Sequence, residues 1–551
     1  MMTDLQPIDI EPICPNGVRL MGGHSGVKAN RLDTGLLIAD APMRAVGAFT
    51  QNRCAAACVL GNRPLLPSAN IRTLTIVSGN ANCYAVGDLE ADAMLRKASS
   101  ALAVATPDTA LTATTGPIGV PLDARKVAAA LPRVFRNIAS VNDFADAILT
   151  TDTVRKVACV RWQGATWLGI AKGSGMIHPD MATMIAVCVT DADVPLDAME
   201  RAVKAATSRT FNAITVDRDT STNDSAFFLA TAKGPHVADP LPALTAVFQQ
   251  LAVAIARDGE GATRLCAVRV HGAPDEACAR TSARDVAGSD LVKSALFACD
   301  PNWGRIAAAL GASLARQNVD IDRSNVAIRL MDHPVFPVAG PLDKHALSAA
   351  MRSSDTLTVD VTIGQGQGDA TAWGCDLTYD YVRINAEAPI AYGQNAPVRS
   401  SLEMQTLTPV LKKGVLREAL RYLHDFDRKT MVIVVQAEAP TTDDDLALLR
   451  MTGIRPIVLR NVGIETAASV ARDNEAMKIV VLSADDGIRD QDGKVVAELT
   501  LETLPEAWLV PGLADFLRRG GTLHVLNGQV HAALIEELFT DRGIGSMVTA
   551  G

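Results

Sequence analysis

Apolar residues along this chain follow two rhythms. Short unbroken runs, Leu74 to Ser78 and Thr183-Met184-Ile185-Ala186-Val187-Cys188-Val189, read as buried strands. Asp88 to Ala103, and Asp197 to Thr207 with its apolar stripe, read as helices. Near the middle a third pattern enters: Leu357, Val359, Val361 and Ile363 alternate with polar residues, as in a half-buried strand. The loop Gly364-Gln365-Gly366-Gln367-Gly368 follows, then a second strand-like run toward Ile384, so a hairpin is expected. The GxGxG in that loop is a weak nucleotide signal, and no helix is predicted after it, as a dinucleotide fold would need. Residues 388–401, with Pro, Gly and Ser, read as a linker. Beyond it the order is helix (Val415 to His424), strand (Met431 to Val435), helix (Asp443 to Thr452), strand (Pro456 to Leu459) and strand (Lys478 to Leu482). That order implies a parallel α/β sheet. The pattern gives blocks 1–182, 183–387 and 402–551, all α/β.

Composition agrees with layered packing. The 551 residues are 48 % hydrophobic but only 4 % aromatic, which suits helices packed closely on sheets. A net charge of −9 offers no basic face for nucleic acid. The N-terminus, Met1-Met2-Thr3-Asp4-Leu5-Gln6-Pro7, lacks the basic and apolar regions of a signal peptide, and no run approaches the ~20 apolar residues of a membrane span. A cytoplasmic protein is expected. The ten cysteines, none after Cys375, show no paired ligand spacing and read as reduced core thiols.

The segment with chemical promise is Lys172-Gly173-Ser174-Gly175-Met176-Ile177-His178-Pro179-Asp180-Met181-Ala182-Thr183-Met184. An irregular Gly/Pro loop ends at a threonine that opens an apolar strand. A threonine hydroxyl is a weak nucleophile and needs a base; cleavage just before Thr183 would supply one, an α-amine of pKa ~8. On residue types alone, a plain strand threonine is the better reading.

The sequence closely resembles the bifunctional ornithine acetyltransferase (glutamate N-acetyltransferase) family. The family's Lys-Gly-x-Gly-Met loop ending in Met-Ala-Thr-Met stands at Lys172 to Met184. Further segments match in order: Gly79 to Asn82, Thr150 to Thr153, Phe211 to Asp217, Asp219 to Asp224, Asp258 to Thr263, Ala298 to Arg305 and Tyr379 to Ala386. The resemblance spans roughly residues 8 to 387. It implies cleavage between Ala182 and Thr183 and a layered αββα fold. The α and β chains stay together, as a dimer of αβ units (a heterotetramer). By the same resemblance Thr183 is the nucleophile, Thr115 and Gly116 form the oxyanion hole, and Thr150, Lys172, Thr183, Glu260 and Asn385 bind substrate. The implied substrates are N-acetylornithine and glutamate, with no cofactor or metal; acetyl-CoA remains an open alternative donor.

Each position also has an ordinary reading: a turn at Thr115-Gly116, and solvated loop charges at Lys172 and Glu260. Asp217, Asp219 and Asp224 lack the regular spacing of an oxygen-ligand loop and read as turn or capping residues. His178 and Asp180 read as loop residues, since closeness in sequence is not triad geometry.

Two departures stand out. Ile390 occupies the place of a family hydroxyl that helps bind substrate, and Arg218 replaces the usual glycine between Asp217 and Asp219. A related amidohydrolase, or an acyltransferase with another substrate, is therefore the alternative function. The tail resembles acetylglutamate kinase at Leu446 to Val458, His524 to Leu534 and Leu538 to Gly545. Where that kinase needs a Lys and paired glycines to cradle phosphate, this chain has Val434-Val435-Gln436-Ala437-Glu438, and Arg460-Asn461 replaces a second glycine turn. A degenerate amino-acid-kinase-like domain, a pseudokinase, is expected. Its open roles are binding an acetylated amino acid, regulating the first module, or assembly.

Overall fold

The computed structural model describes residues 6–7, 12–178, 184–338, 340–392, 430–436, 455–483, 487–490, 495–496, 498–527 and 546–550. The chain divides into two compact units, residues 1–393 and 394–551.

The first unit carries two sheets. Nine strands form the larger: β1 Gln6–Pro7, β2 Val18–Gly23, β3 Thr34–Phe49, β4 Ser68–Ser78, β5 Ala110–Thr115, β6 Lys156–Trp162, β7 Ala165–Lys172, β8 Ile185–Thr190 and β9 Ser225–Ala230. Their order is β1-β6-β7-β8-β9-β3-β4-β5, with β2 also paired to β3. The apolar run beginning at residue 183 forms β8 in the interior of this sheet, antiparallel to β7 and parallel to β9.

An unbroken apolar run forms a strand here because both faces of the sheet are covered. Successive side chains point to opposite faces, so Ala186 and Cys188 join one core while Ile185, Val187 and Val189 join the other. The first core is capped by the helices Leu196–Arg209 and Leu241–Arg257, which contribute Met199, Leu244, Phe248 and Leu251. The second receives Phe144 and Ile148 from the helix Val141–Ile148. At Gly169 the helix Leu241–Arg257 lies so close that a β-carbon would meet Val247 Cγ1 at 2.2 Å, so only glycine fits.

The smaller sheet comprises β10 Leu265–Ala273, β11 Ala327–Leu330, β12 His333–Phe336, β13 Thr356–Thr362 and β14 Gly368–Cys375, in the order β12-β11-β13-β10-β14. In β13 the alternation predicted from sequence is present: Leu357, Val359 and Val361 are buried against their core, with intermediate residues between. The expected hairpin is not. β10 lies between β13 and β14, parallel to the first and antiparallel to the second. Nor does a strand run toward Ile384. Thr378 Oγ1 accepts the Tyr381 N–H, as an N-cap does, and residues Tyr379–Tyr392 form a helix. That helix takes in the first residues of the stretch read as a linker.

In the second unit β15 Thr430–Val435, β16 Arg455–Arg460, β17 Lys478–Ser483, β18 Glu498–Thr500, β19 Thr522–Asn527 and β20 Ser546–Thr549 form one sheet, ordered β16-β15-β17-β19-β20-β18. The pairs β16–β15, β15–β17 and β17–β19 are parallel, as the strand–helix alternation predicted. A helix not expected from sequence, Ile464–Asp473, follows β16. The predicted helices at 415–424 and 443–452, like residues 528–545, lie outside the described residues.

Candidate active site

Thr183 and Ala182, the proposed nucleophile and cleavage point, lie outside the described residues, as does Asp180. Their flanks are described. β7 ends at Lys172 and β8 begins at Ile185, and these two residues are paired across the sheet. The segment of residues 173–184 therefore leaves and returns at one place on adjacent strands. Gly173, with φ +152°, turns away from β7 beside Met184; a β-carbon on it would meet that residue's Cβ at 3.2 Å. Asp217 shapes the next turn by accepting the Met176 N–H (2.6 Å) and the Ile177 N–H (2.8 Å).

The other predicted residues converge on this place. Thr115 closes β5, and its hydroxyl accepts a hydrogen bond from Lys172 Nζ at 3.3 Å. The Thr115 carbonyl is taken by the N–H groups of Gly79 (2.7 Å) and Asn80 (3.0 Å). Gly116 then follows with φ +144°, where a β-carbon would sit 2.4 Å from Asn80 N. Only glycine satisfies both demands. Asn385 Nδ2 donates to Glu260 Oε2 (2.8 Å) and to the Tyr381 carbonyl (3.0 Å). Glu260 lies directly on Gly175, where a β-carbon would be 2.4 Å from Oε1. Ile390 is on the helix Tyr379–Tyr392, but its side chain is outside the described residues.

Three residues that the sequence did not single out tie these parts together. Lys156, fully buried, bridges Asp152 (2.7 Å) and Asp258 (2.5 Å). Asp152 in turn accepts the Thr150 N–H (3.0 Å) and the Gly173 N–H (2.6 Å). Asp258 holds Thr153 through its carboxylate, and its carbonyl accepts from Ser174 Oγ at 2.7 Å. One buried ion network thus fixes the loop of Thr150, the exit from Lys172 and the turn that carries Glu260. Two aspartates straddling a fully buried lysine are the signal; it becomes visible only when the fold brings residue 258 to residue 156.

Electrostatics divides the site. Burial pulls the Lys172 ammonium below its ordinary value, opposed chiefly by Asp152 and then by Asp224 and Glu260. Burial would raise Asp152, but Lys172, Lys156 and the Gly173 N–H overcome it and hold the carboxyl at about 2. Asp224 is pushed well up by burial, and its Oδ2 has no hydrogen-bond partner among the described residues. His178 is brought down to about 4, by burial and then by Arg284 and Arg218; its ring contacts Thr215 Oγ1 at 3.0 Å. Arg218 adopts φ +68°, so the arginine takes the left-handed backbone that a glycine adopts freely. Among the described residues no group of His, Cys, Asp or Glu is arranged to hold a metal, and no helix is long and apolar enough to cross a membrane.

The ArgJ family profile matches residues 19–388. The arginine biosynthesis bifunctional protein ArgJ of Thermus thermophilus is 46 % identical over 381 residues, covering 68 % of this chain and 98 % of its own. The chain belongs to the ArgJ family. The ArgJ of Gloeobacter violaceus is 42 % identical over 409 residues, 70 % of this chain and 99 % of its own. A crystal structure of the ArgJ of Bacillus halodurans aligns at 37 % identity with a TM-score of 0.33, over 36 % of this chain and 95 % of that one. As an ArgJ member the chain is an acetyltransferase of arginine biosynthesis. The family match ends before the second unit begins.

Proposed function

We propose that the chain cuts itself between Ala182 and Thr183 and then carries acetyl from N-acetylornithine to glutamate on Thr183. The freed α-amine takes the hydroxyl proton as Thr183 Oγ1 attacks the acetyl carbonyl. The tetrahedral oxyanion is met by Thr115 and Gly116, and ornithine leaves with the proton. Glutamate then attacks the acetyl ester, giving N-acetylglutamate and the free hydroxyl. Donors aimed at a developing oxyanion are worth ~100–1000-fold in rate each. Thr150, Lys172, Glu260 and Asn385 bind the substrate in this reading.

The observation that carries the proposal is convergence. Lys172, paired with Ile185 across the ends of the cleavage segment, meets Thr115, and Glu260, braced by Asn385, backs Gly175 within that segment. Separated positive and negative groups suit substrates that are amino acids. The layered αββα assignment rests on the family resemblance, since helices on both faces of the nine-stranded sheet are not by themselves that layering. The cut chains are held to stay associated, as dimers of αβ units. Acetyl-CoA is a second donor to be tested. The second unit is read as an amino-acid-kinase-like module without kinase activity, supported by its mostly parallel sheet.

Intact-mass measurement of the purified protein, with a donor–acceptor panel, tests the proposal. A fragment beginning at Thr183, with transfer from N-acetylornithine to glutamate, is expected. Full transferase activity in an uncut chain would refute the α-amine as base. Activity only on other amides would favour the amidohydrolase reading, to which the loss of the family hydroxyl at Ile390 points.

A further inference from the structure

Lys28 plays no part in the chemistry above, yet it stands at the same site. It lies on the loop between β2 and β3, which is held rigidly from within. The buried Asp33 carboxylate accepts Ser25 N (2.6 Å), Ser25 Oγ (2.8 Å), Gly26 N (2.9 Å), Val27 N (2.8 Å) and Lys28 N (3.1 Å). A carboxylate that gathers successive N–H groups fixes the backbone that offers them, so the origin of the Lys28 side chain is set.

From there the side chain runs across Gly79. A β-carbon on that glycine would lie 3.0 Å from Lys28 Cγ and 3.7 Å from Cε. Gly79 and Asn80 are the residues that bind the Thr115 carbonyl and press on Gly116, so the lysine stem rests on the outer side of the proposed oxyanion turn. The ammonium donates to the Leu149 carbonyl (2.5 Å), one residue before Thr150, and to the Leu32 carbonyl (3.2 Å). An ammonium has three donors. The third has no partner among the described residues, and Lys28 as a whole is only half-buried. Burial brings its amine down to about 8, with Asp33 opposing and the charge of Lys172 among the smaller influences, which puts the two lysines in one electrostatic neighbourhood.

We propose that Lys28 donates its remaining N–H to a carboxylate of the amino-acid substrate. The inference rests on the acetyl-transfer reading above and assigns a carboxylate-binding residue to that site. It also accounts for a second cation where Lys172 already has Asp152 to neutralise it.

The test is a comparison of substrates with and without the carboxylate, using the full chain. Wild type and Lys28→Met are assayed with N-acetylornithine, with N-acetylputrescine (the same donor lacking the carboxylate), and with glutamate as acceptor. A lost charge-assisted hydrogen bond raises KM for N-acetylornithine by ~10-fold or more, while N-acetylputrescine turns over equally in both proteins. An effect confined to glutamate also supports the proposal and assigns the contact to the acceptor's side-chain carboxylate. An equal loss with all three substrates overturns it and makes Lys28 a clamp on Leu32 and Leu149. If Lys28→Met does not fold, Lys28→Gln, which keeps a donor for Leu149 and removes the charge, is read by the same criteria. A wild type that transfers no acetyl overturns the underlying reading itself, and that failure shows before any variant is made.

Discussion

Replacing Lys156 by methionine keeps an unbranched side chain one atom shorter and removes the charge at the centre of the buried network. Lys156 is 0 % exposed and its partners Asp152 and Asp258 are 0 % and 8 % exposed, so water cannot screen the loss. Breaking a buried pair from one side typically costs ~3–5 kcal/mol, because the remaining charges stay buried and uncompensated. Asp152 keeps Lys172 and the Gly173 N–H, and Asp258 keeps Thr153, which places the expected loss near the lower end, about 3 kcal/mol. Urea unfolding of the two proteins measures it. The acid limb gives a second readout. The folded pKa of Asp152 is depressed to about 2. Its contribution is therefore present above the unfolded carboxyl value near ~4 and is lost as pH falls toward 2. Without Lys156 that folded value rises, and the limb moves to higher pH. KM for both substrates should also rise, since Thr150, Lys172 and Glu260 lose a common brace. Stability within ~1 kcal/mol of wild type and an unmoved acid limb would show that the two ion pairs merely offset the cost of burying the lysine, and would refute the argument.

Three further outcomes follow from the site. Gly116→Ala places a methyl group 2.4 Å from Asn80 N, so the oxyanion turn must shift and the acetyl-transfer rate should fall ~100-fold or more, read as kcat with N-acetylornithine. His178 has a folded pKa of about 4, below its unfolded value of ~6.5, so it should weaken the fold progressively as pH falls from 6.5 to 4; His178→Ala should flatten that part of the stability–pH curve, and NMR titration should show a neutral ring at pH 6. A chain ending at residue 393 should keep acetyl transfer, since the compact unit closes there and the family match ends at 388; loss of activity would give the second unit a part in catalysis or assembly.

What could be read from sequence was local. The run after residue 183 predicted a strand because covering both faces of a sheet demands continuous apolar side chains, and β8 is that strand from Ile185 onward. Alternation from Leu357 marked β13 for the opposite reason, one face being less buried. Partners were not legible. β13 and β14 follow each other with a glycine loop between them, yet β10, nearly a hundred residues earlier, separates them. Tyr379-Asp380-Tyr381-Val382-Arg383-Ile384 carries strand-like residues, but the Thr378 cap and the exposure of Tyr379 and Val382 let it turn as a helix. At the site, the resemblance supplied Thr115, Gly116, Lys172, Glu260 and Asn385. Lys156 stayed hidden because a lysine opening a strand reads as solvated until Asp258 is known to reach it. Lys28 stayed hidden because its neighbours, Gly79 and Leu149, are far away in sequence.

The pairing of β7 with β8 bears on what a cut at residue 182 would leave behind. From Trp167↔Thr190 to Lys172↔Ile185 the two strands are in continuous register, and β8 is also zipped to β9 on its other edge. A chain severed between them would remain a single woven sheet, with two strands of the later fragment, β8 and β9, lying inside it. Such a protein assembles once, as one polymer. Taken apart afterwards, it would need two molecules to meet before the interior strands could be seated, so formation of the sheet after denaturation would depend on concentration in cut protein, whereas an uncut Thr183→Ala chain would form it within one molecule and need a second only to dimerise. The order of events, fold first and cut second, would be written into which of the two can find its way back.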